Sequence, residues 1–123
     1  NFYKVDNFKI IGDRDKLIEI FTNLIDNAIK YSDKNKEVSI TFKKEGDSNI
    51  VSVVDQGIGI PKESIHRITE RFFTVDPSKS RSVGGTGLGL AIVKHLVSQH
   101  RAEMDISSIE NKGTTIDIKF NAL

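Results

Sequence analysis

The sequence predicts an α/β fold: a two-layer sandwich in which a mixed, mostly antiparallel sheet of about five strands carries three helices on one face. Apolar residues recur every three to four positions in the helical segments and every second position in most strands. The segments follow the order strand, helix, two strands, short helix, loop, helix and two strands, which favours one sheet covered by helices. A length of 123 residues is enough for one domain with its own core.

The chain begins with a short strand and a long helix. Residues 8–11 are typical of a strand, and Asp13 is a suitable N-cap for the helix that follows. Apolar residues then recur at helical spacing to about residue 32. The stripe expected to face the core consists of Leu17, Phe21, Leu24, Ile25, Ala28 and Ile29.

A hairpin is predicted next. Strands are expected at residues 37–43 and 50–54, with a turn at Gly46 and Asp47 between them. The second of these strands is the more continuously apolar and is expected to be central in the sheet. In the first strand the alternation places Val38, Ile40 and Phe42 on one face.

The second half of the chain supplies the remaining helices and strands. Pro61 suits the start of a short helix over about residues 62–71. Residues 74–86 show no period and form a predicted mobile loop, long enough to need a functional reason. The second strong helix begins near residue 87 or 88, with Leu88, Ala91, Ile92, Leu96 and Val97 on its buried side, and strands follow at about 104–109 and 115–120.

Composition excludes several classes of protein. Eighteen Lys and Arg nearly balance seventeen Asp and Glu, without long runs of one sign, so nucleic acid is not an expected partner. Without cysteine there are no disulfides or thiolate metal sites. No apolar stretch approaches the ~20 residues that cross a bilayer, so we expect a soluble, cytoplasmic domain. The missing initial Met suggests a piece of a longer protein, which could be anchored in the cell membrane.

Glycine is concentrated where a phosphate could bind. The chain has no Gly-Lys dipeptide and therefore no P-loop, and residues 85–89 lack the spacing of dinucleotide-binding loops. These residues nevertheless open a helix, where glycines let backbone N–H groups approach an anion closely. A flexible hinge leading into a helix is the alternative interpretation.

One face of the first long helix is polar. Glu19, Asn23, Asn27 and Lys30 lie within roughly 60° of one another, and Tyr31 borders that face. Asn oxygens suit a hard cation such as Mg²⁺, an ammonium group suits phosphate, and an aromatic ring suits a base. The alternative is an ordinary solvated helix face.

Three more residues have functional interpretations. Asp55 ends an apolar strand and begins a Gly-x-Gly turn, where its carboxylate could accept a hydrogen bond from an exocyclic amine such as that of adenine. Turn formation is the alternative role. Lys79 and Arg81, in the predicted loop, could close on phosphates, or could serve only solubility.

The three histidines do not form a metal site by spacing. His95 and His100 lie on different helical faces, and His66 lies in another predicted helix. We therefore expect surface or structural roles for all three.

Four separated segments together resemble one family. They are Asn23 to Ser32 (NLIDNAIKYS), Asp55 to Pro61 (DQGIGIP), Glu70 to Phe73 (ERFF) and Gly85 to Leu90 (GTGLGL). In this order and spacing they resemble the N, G1, F and G2 boxes of the catalytic and ATP-binding domain of sensor histidine kinases. That domain has the Bergerat fold, which gyrase and mismatch-repair ATPases share. The resemblance covers nearly the whole chain, so residues 1–123 are interpreted as one such domain.

The resemblance implies a site for ATP and Mg²⁺ with a lid at about residues 72–86. Asn23 and Asn27 would hold the metal, and Glu19 with Asn23 would be the catalytic residues, Glu19 as the candidate that orients or deprotonates the acceptor. Asp55 would bind the adenine amine. The ATP-binding residues that it implies are Asn23, Asn27, Lys30, Tyr31, Asp55, Gly57, Gly59, Ile60, Arg71, Phe73, Lys79, Arg81, Gly85, Thr86, Gly87, Leu88, Gly89 and Thr114 or Thr115.

The sequence also departs from the family pattern. Thr69 stands where the family commonly has Phe, and Thr74 where it often has Arg or Lys. Arg101-Ala102 replaces the Gly-Gly that usually follows the last helix, which puts the usual left-handed helix cap in doubt.

The implied function is transfer of the γ-phosphoryl group of Mg-ATP to a histidine on a separate dimerisation domain. A response regulator would then receive the group on an aspartate. Those domains and the sensor lie outside the 123 residues; the isolated domain is expected to be monomeric and its parent a homodimer. Two alternatives are a degenerate nucleotide-binding module and a serine/threonine kinase of the anti-sigma-factor type.

Overall fold

The computed structural model describes residues 12–32, 36–70 and 89–121. Its four strands form one sheet in the order β1-β2-β4-β3, and every described pairing is antiparallel. Helices cover one face of the sheet, which confirms the predicted fold class; the expected strand at 8–11 and loop at 74–86 lie outside the described residues. The elements are α1 (Arg14–Lys30), β1 (Val38–Glu45), β2 (Ser48–Asp55), a 3₁₀ helix (Lys62–Arg67), α2 (Gly89–Gln99), β3 (Glu103–Ile109) and β4 (Gly113–Phe120).

Helix α1 begins as predicted and buries a slightly different stripe. Asp13 accepts a hydrogen bond from the backbone N of Lys16 at 3.0 Å, which confirms it as the N-cap. The buried stripe is centred on Ile20, Leu24 and Ala28, each one turn from the next. The expectation that Ile29 faces the core was wrong: it is 59% exposed, because each helical residue is rotated by about 100° from its neighbour.

The two faces of the sheet differ in polarity. The core lies between the helices and the face that carries Val51, Val53, Ile116 and Ile118. The opposite face is largely polar; Ser52, for example, donates a hydrogen bond to Asp117 there. Alternation along each strand therefore decides which side chains lie under the helices.

The predicted hairpin is present, and its first strand is the less buried one. Ile40 lies opposite Val53 and Phe42 opposite Val51, so both share the core face as expected. They are nevertheless 40% and 42% exposed. The reason is that β1 lies at the end of the described strand order, where α1 covers it little.

The later helices differ from the prediction in detail. The short helix is a 3₁₀ helix that ends at Arg67, several residues before the expected end. In α2, Val93 has no exposed surface, whereas Ile92, predicted to face the core, is 38% exposed. The shift by one residue again rotates the buried stripe by about 100°.

The C-terminal end of α2 is a left-handed cap, contrary to the doubt raised by the sequence. Arg101 has a φ of 54°. Its N–H donates to the carbonyl of Ser98 at 3.0 Å, and the N–H of Ala102 donates to that of Val97 at 3.1 Å. This is the Schellman pattern, with arginine in the position that usually holds glycine.

His100 joins this end of α2 to the start of α1. Its Nε2 accepts a hydrogen bond from the backbone N of Asp13 at 3.1 Å, and its Nδ1 donates to the carbonyl of Leu96 at 2.8 Å. The expected structural role of this histidine agrees with both bonds. Within the part of the chain that the structure describes, no helix has the length and apolar character needed to cross a membrane.

Candidate nucleotide-binding site

A row of three polar side chains crosses one end of the sheet on the helix-covered face. Asp55 in β2 lies opposite Thr114 in β4, and Thr114 lies opposite Ser108 in β3. Thr114 is only 9% exposed. Apolar residues fill the same face further along the strands, so the row marks a change from core to polar pocket.

The carboxylate of Asp55 is held in place by the backbone. Its Oδ1 accepts hydrogen bonds from the N–H of Gly57 at 2.9 Å and from that of Thr114 at 3.2 Å. Charged acceptors make strong hydrogen bonds, so these two contacts fix the direction of the side chain. Oδ2 has no hydrogen-bond partner among the described residues and can accept from a ligand.

Ser108 belongs to the same polar row, although the sequence did not single it out. Its Oγ accepts from the N–H of Ile60 at 2.7 Å and donates to the carbonyl of Gly113 at 2.9 Å. It also lies 2.9 Å from Oγ1 of Thr114. One hydroxyl thus ties the loop after β2 to the start of β4. Sequence alone could not reveal this, because the role depends on the register between β3 and β4.

Two glycines allow the loop after β2 to pack against its neighbours. A Cβ on Gly57 would collide with the backbone carbonyl of Tyr31. That carbonyl instead accepts a hydrogen bond from the N–H of Ile58 at 3.2 Å, which attaches the loop to the end of α1. Gly59 has a φ of 71°, and its Cβ would collide with the carbonyl of Ile109.

The polar face of α1 leads from this loop towards the start of α2. Asn23 donates its Nδ2 to the backbone carbonyl of Glu19 at 2.9 Å. Its Oδ1 is therefore the free end, and it lies 3.7 Å from the position that a Cβ on Gly89 would take. Asn27 is half-buried one turn further along. The structure thus brings Asn23 next to the first residue of α2.

Lys30 and Tyr31 lie at the end of α1. Lys30 pairs with Asp26, its Nζ 3.1 Å from Oδ2. The pair is partly exposed, and such pairs contribute little to stability, so Lys30 can exchange this partner for another anion. Tyr31 caps the helix, with its N–H bonded to the carbonyl of Asn27 at 3.2 Å.

Some expected site residues are not brought together here. Thr115 lies opposite Val54 and Ser107, on the other face of the sheet from Asp55. The geometry therefore supports Thr114 and not Thr115. The expected residues outside the described part are Arg71, Phe73, Lys79, Arg81, Gly85, Thr86, Gly87 and Leu88, together with Thr74 and the lid at about 72–86.

The described residues are compatible with a magnesium ion that is shared with phosphates. No group of three His, Cys, Asp or Glu side chains in the described ranges could hold a metal. Mg²⁺, however, often takes only one or two protein oxygens beside substrate phosphates and waters. Because the Nδ2 of Asn23 is occupied by Glu19, its Oδ1 is presented as such an oxygen ligand.

Comparison with known proteins identifies the class. Residues 12–122 match the family model described as histidine kinase-, DNA gyrase B-, and HSP90-like ATPase. The chain therefore belongs to this family of ATPases, and it is an ATP-binding domain.

Similar proteins identify the branch of the family. SenX3 of Mycolicibacterium smegmatis, a sensor-like histidine kinase, is 42% identical over 111 residues, which are 90% of this chain and 29% of SenX3. The sensor histidine kinase WalK of Bacillus subtilis is 45% identical over 106 residues, 85% of this chain and 17% of WalK. The structure of the mycobacterial sensor histidine kinase MprB superposes with a TM-score of 0.79 at 31% identity, covering 91% of this chain and 76% of that one.

These relatives confirm the resemblance found in the sequence. The chain is similar to the catalytic, ATP-binding domain of sensor histidine kinases. The chain spans less than a third of the two curated relatives, 29% of SenX3 and 17% of WalK.

Proposed function

We propose that this domain holds Mg-ATP at the polar end of its sheet and donates the γ-phosphoryl group to a histidine on a separate dimerisation domain. The observation that supports this most is the fixed carboxylate of Asp55, whose Oδ2 can accept from the adenine amine. Phosphoryl transfer requires mainly positioning and neutralisation of charge, which a nucleotide-binding domain can supply without its own nucleophile.

The adenine would lie against the Asp55, Thr114 and Ser108 row. Thr114 and Ser108 are bonded to each other and to the surrounding backbone, so a ligand would meet groups that are already in position. A charge-assisted hydrogen bond to the amine contributes about 1.5–3 kcal/mol. Tyr31 and Ile60, on the two sides of the loop, are proposed to contact the base.

The phosphates would extend along α1 towards α2. In this arrangement Asn23 and Asn27 provide oxygens for Mg²⁺, and Lys30 provides a positive charge. Bound Mg²⁺ would neutralise charge on the phosphates. Gly89 and the preceding glycines would contribute backbone N–H groups at the start of α2. Glu19, exposed one turn before Asn23, is the proposed residue that orients or deprotonates the acceptor imidazole.

The histidines of this chain are not the proposed acceptor. His100 is engaged at both ring nitrogens at the far end of α2, and His95 contacts Gln99 at 3.2 Å. His66 belongs to the 3₁₀ helix. The acceptor would therefore come from another domain of the parent protein, a homodimer, and a response regulator would take the group afterwards.

A transfer experiment tests this function. The 123-residue domain is mixed with Mg-ATP labelled at the γ-phosphate and with the dimerisation domain of its own parent protein as a separate polypeptide. We expect acid-labile, alkali-stable label on the dimerisation domain and almost none on the catalytic domain. ATP binding without transfer would support the alternative of a degenerate nucleotide-binding module. Acid-stable label on serine or threonine would support the anti-sigma-factor type of kinase.

The metal-binding role of Asn23 has a matched control in its neighbour Thr22, which is exposed on the same helix. Asn23→Ala should lower the affinity for Mg-ATP and the transfer rate at least tenfold, since an oriented ligand of the metal is lost. Thr22→Ala should change neither. Equal behaviour of the two variants would contradict the role given to Asn23.

A further inference from the structure

A cavity of about 570 Å³ is lined by residues of the 3₁₀ helix, α2 and β3. Its apolar lining includes Ile65 of the 3₁₀ helix, Val97 of α2, and Met104 and Ile106 of β3. The nucleotide site adjoins the first residue of α2, whereas this cleft lies along the second half of the helix. Lys94, the first residue of α2 that lines the cleft, lies five positions after Gly89, which is about 7.5 Å along the helix axis.

The rim of the cleft is positively charged. Lys94 and Arg101 line it, and Asp105 is the one carboxylate among the lining residues. Asp105 lies opposite Asp117 in the sheet register, so its side chain is on the other face from Met104 and Ile106. Neither Lys94 nor Arg101 forms an ion pair with a carboxylate in the described ranges.

The backbone of Arg101 is in a strained conformation. Its φ of 54° lies in the left-handed region, where side chains other than glycine are disfavoured. The cap of α2 would form equally well with glycine at this position. Arg101 lines the cleft together with Lys94 in spite of this strain, which points to a use for its charge.

We propose that this cleft is a docking site for an acidic segment of a partner protein that carries both carboxylate and apolar side chains. The apolar side chains would contact Val97, Met104 and Ile106, and the carboxylates would pair with Lys94 and Arg101. This docking is separate from the nucleotide site, so it does not depend on the proposed transfer of phosphate.

The test uses the ¹⁵N-labelled domain and a pool of capped hexapeptides in which Asp or Glu alternates with Leu, Ile, Val or Phe. The expected result is saturable shifts of the amide signals of residues 94–106 that weaken as salt is raised. A pool with Lys in place of the acidic residues is the control. Absence of shifts at millimolar peptide, or equal shifts with the basic pool, would overturn the proposal, as would the same shifts with inorganic phosphate alone.

Two variants separate the charge of Arg101 from its strain. Arg101→Gly should weaken binding of the acidic pool about fivefold and raise Tm by about 3–5 °C, because glycine adopts the left-handed cap freely. Lys94→Gln should weaken binding similarly with no gain in Tm. Lys44→Gln, on the distant strand β1, removes one charge and should leave binding unchanged. Unchanged binding by both Arg101→Gly and Lys94→Gln would contradict the proposal.

Discussion

The two ends of α2 adjoin sites that are constructed in opposite ways. At the start of the helix, the proposed nucleotide site is built from polar groups that are already bonded to one another: Asp55, Thr114 and Ser108 lie in one row and hold the loop after β2. At the other end, the cleft presents Lys94 and Arg101 on an open rim. A rigid acceptor suits one small ligand, whereas an open, charged groove suits a segment that adapts to it.

The difference also concerns where strain is tolerated. In the proposed nucleotide site the residue with a positive φ, Gly59, is a glycine. Its backbone conformation therefore carries little conformational penalty. In the cleft, Arg101 takes a left-handed conformation that glycine would adopt more easily. Variants at the two sites should therefore change stability in opposite directions.

The largest effect is expected at Gly59. Gly59→Ala places a Cβ against the backbone carbonyl of Ile109 and also strains a positive φ. We expect a loss of about 3 kcal/mol or more in the free energy of unfolding, with loss of ATP binding. Gly46→Ala is the control, because its φ is 61° but no atom lies within 4 Å of the added Cβ. It should cost only about 1 kcal/mol in urea unfolding; equal losses would contradict the packing argument.

A smaller effect is expected at Ser108. Ser108→Ala removes the acceptor of the Ile60 N–H and the donor to the Gly113 carbonyl, so partly buried groups lose their partners. The free energy of unfolding should fall by about 2 kcal/mol, and ATP should bind more weakly. Ser107→Ala, on the exposed face of the same strand, should have almost no effect. Similar results for the two serines would show that the hydrogen bonds of Ser108 do not support the site.

A change at His100 tests the contact between the start of α1 and the end of α2. His100→Ala leaves the N–H of Asp13 and the carbonyl of Leu96 without their bonds to the ring. We expect a loss of about 1 kcal/mol in the free energy of unfolding and an unchanged affinity for ATP, since the nucleotide site is remote. His95→Ala, at an exposed position, is the control. A large loss of ATP affinity would show that the two ends are coupled.

The smallest expected effect is an increase in stability, at Arg101. Arg101→Gly should raise the free energy of unfolding by about 1 kcal/mol, because the left-handed penalty disappears while the cap of α2 remains. Denaturation in urea measures this directly. A loss of stability would mean that packing of the Arg101 side chain outweighs its backbone strain.

Periodicity allowed much of the fold to be predicted. It identified α1, its N-cap at Asp13, the β1–β2 hairpin and the helix-on-sheet arrangement. It misplaced Ile29 and Ile92 because a one-residue error at helical spacing rotates a side chain by about 100°. It also could not determine how far α1 covers β1, which leaves Ile40 and Phe42 partly exposed.

Residue type and spacing were enough to name Asp55, Asn23 and the glycines as candidate site residues, and their roles stay predictions. Contacts that depend on the register between strands could not be predicted in this way. Ser108 was missed, and Thr114 could not be separated from Thr115, because only the pairing of β2, β4 and β3 shows which residues share a face. The left-handed cap at Arg101 was not predicted, because this position usually holds glycine and the presence of an arginine gives no sign of the cap hydrogen bonds.

The central claim, that Asp55 reads the adenine amine, is tested most directly by the affinities of ATP and ITP for the wild-type domain and for Asp55→Asn. The asparagine can keep the Oδ1 contacts to Gly57 and Thr114, while Nδ2 replaces Oδ2 as a donor. ATP should then bind about 10- to 150-fold more weakly. ITP, which has a carbonyl in place of the amine, should bind the variant as tightly as the wild type or more tightly. Equal losses for both nucleotides, or no loss for ATP, would contradict the account.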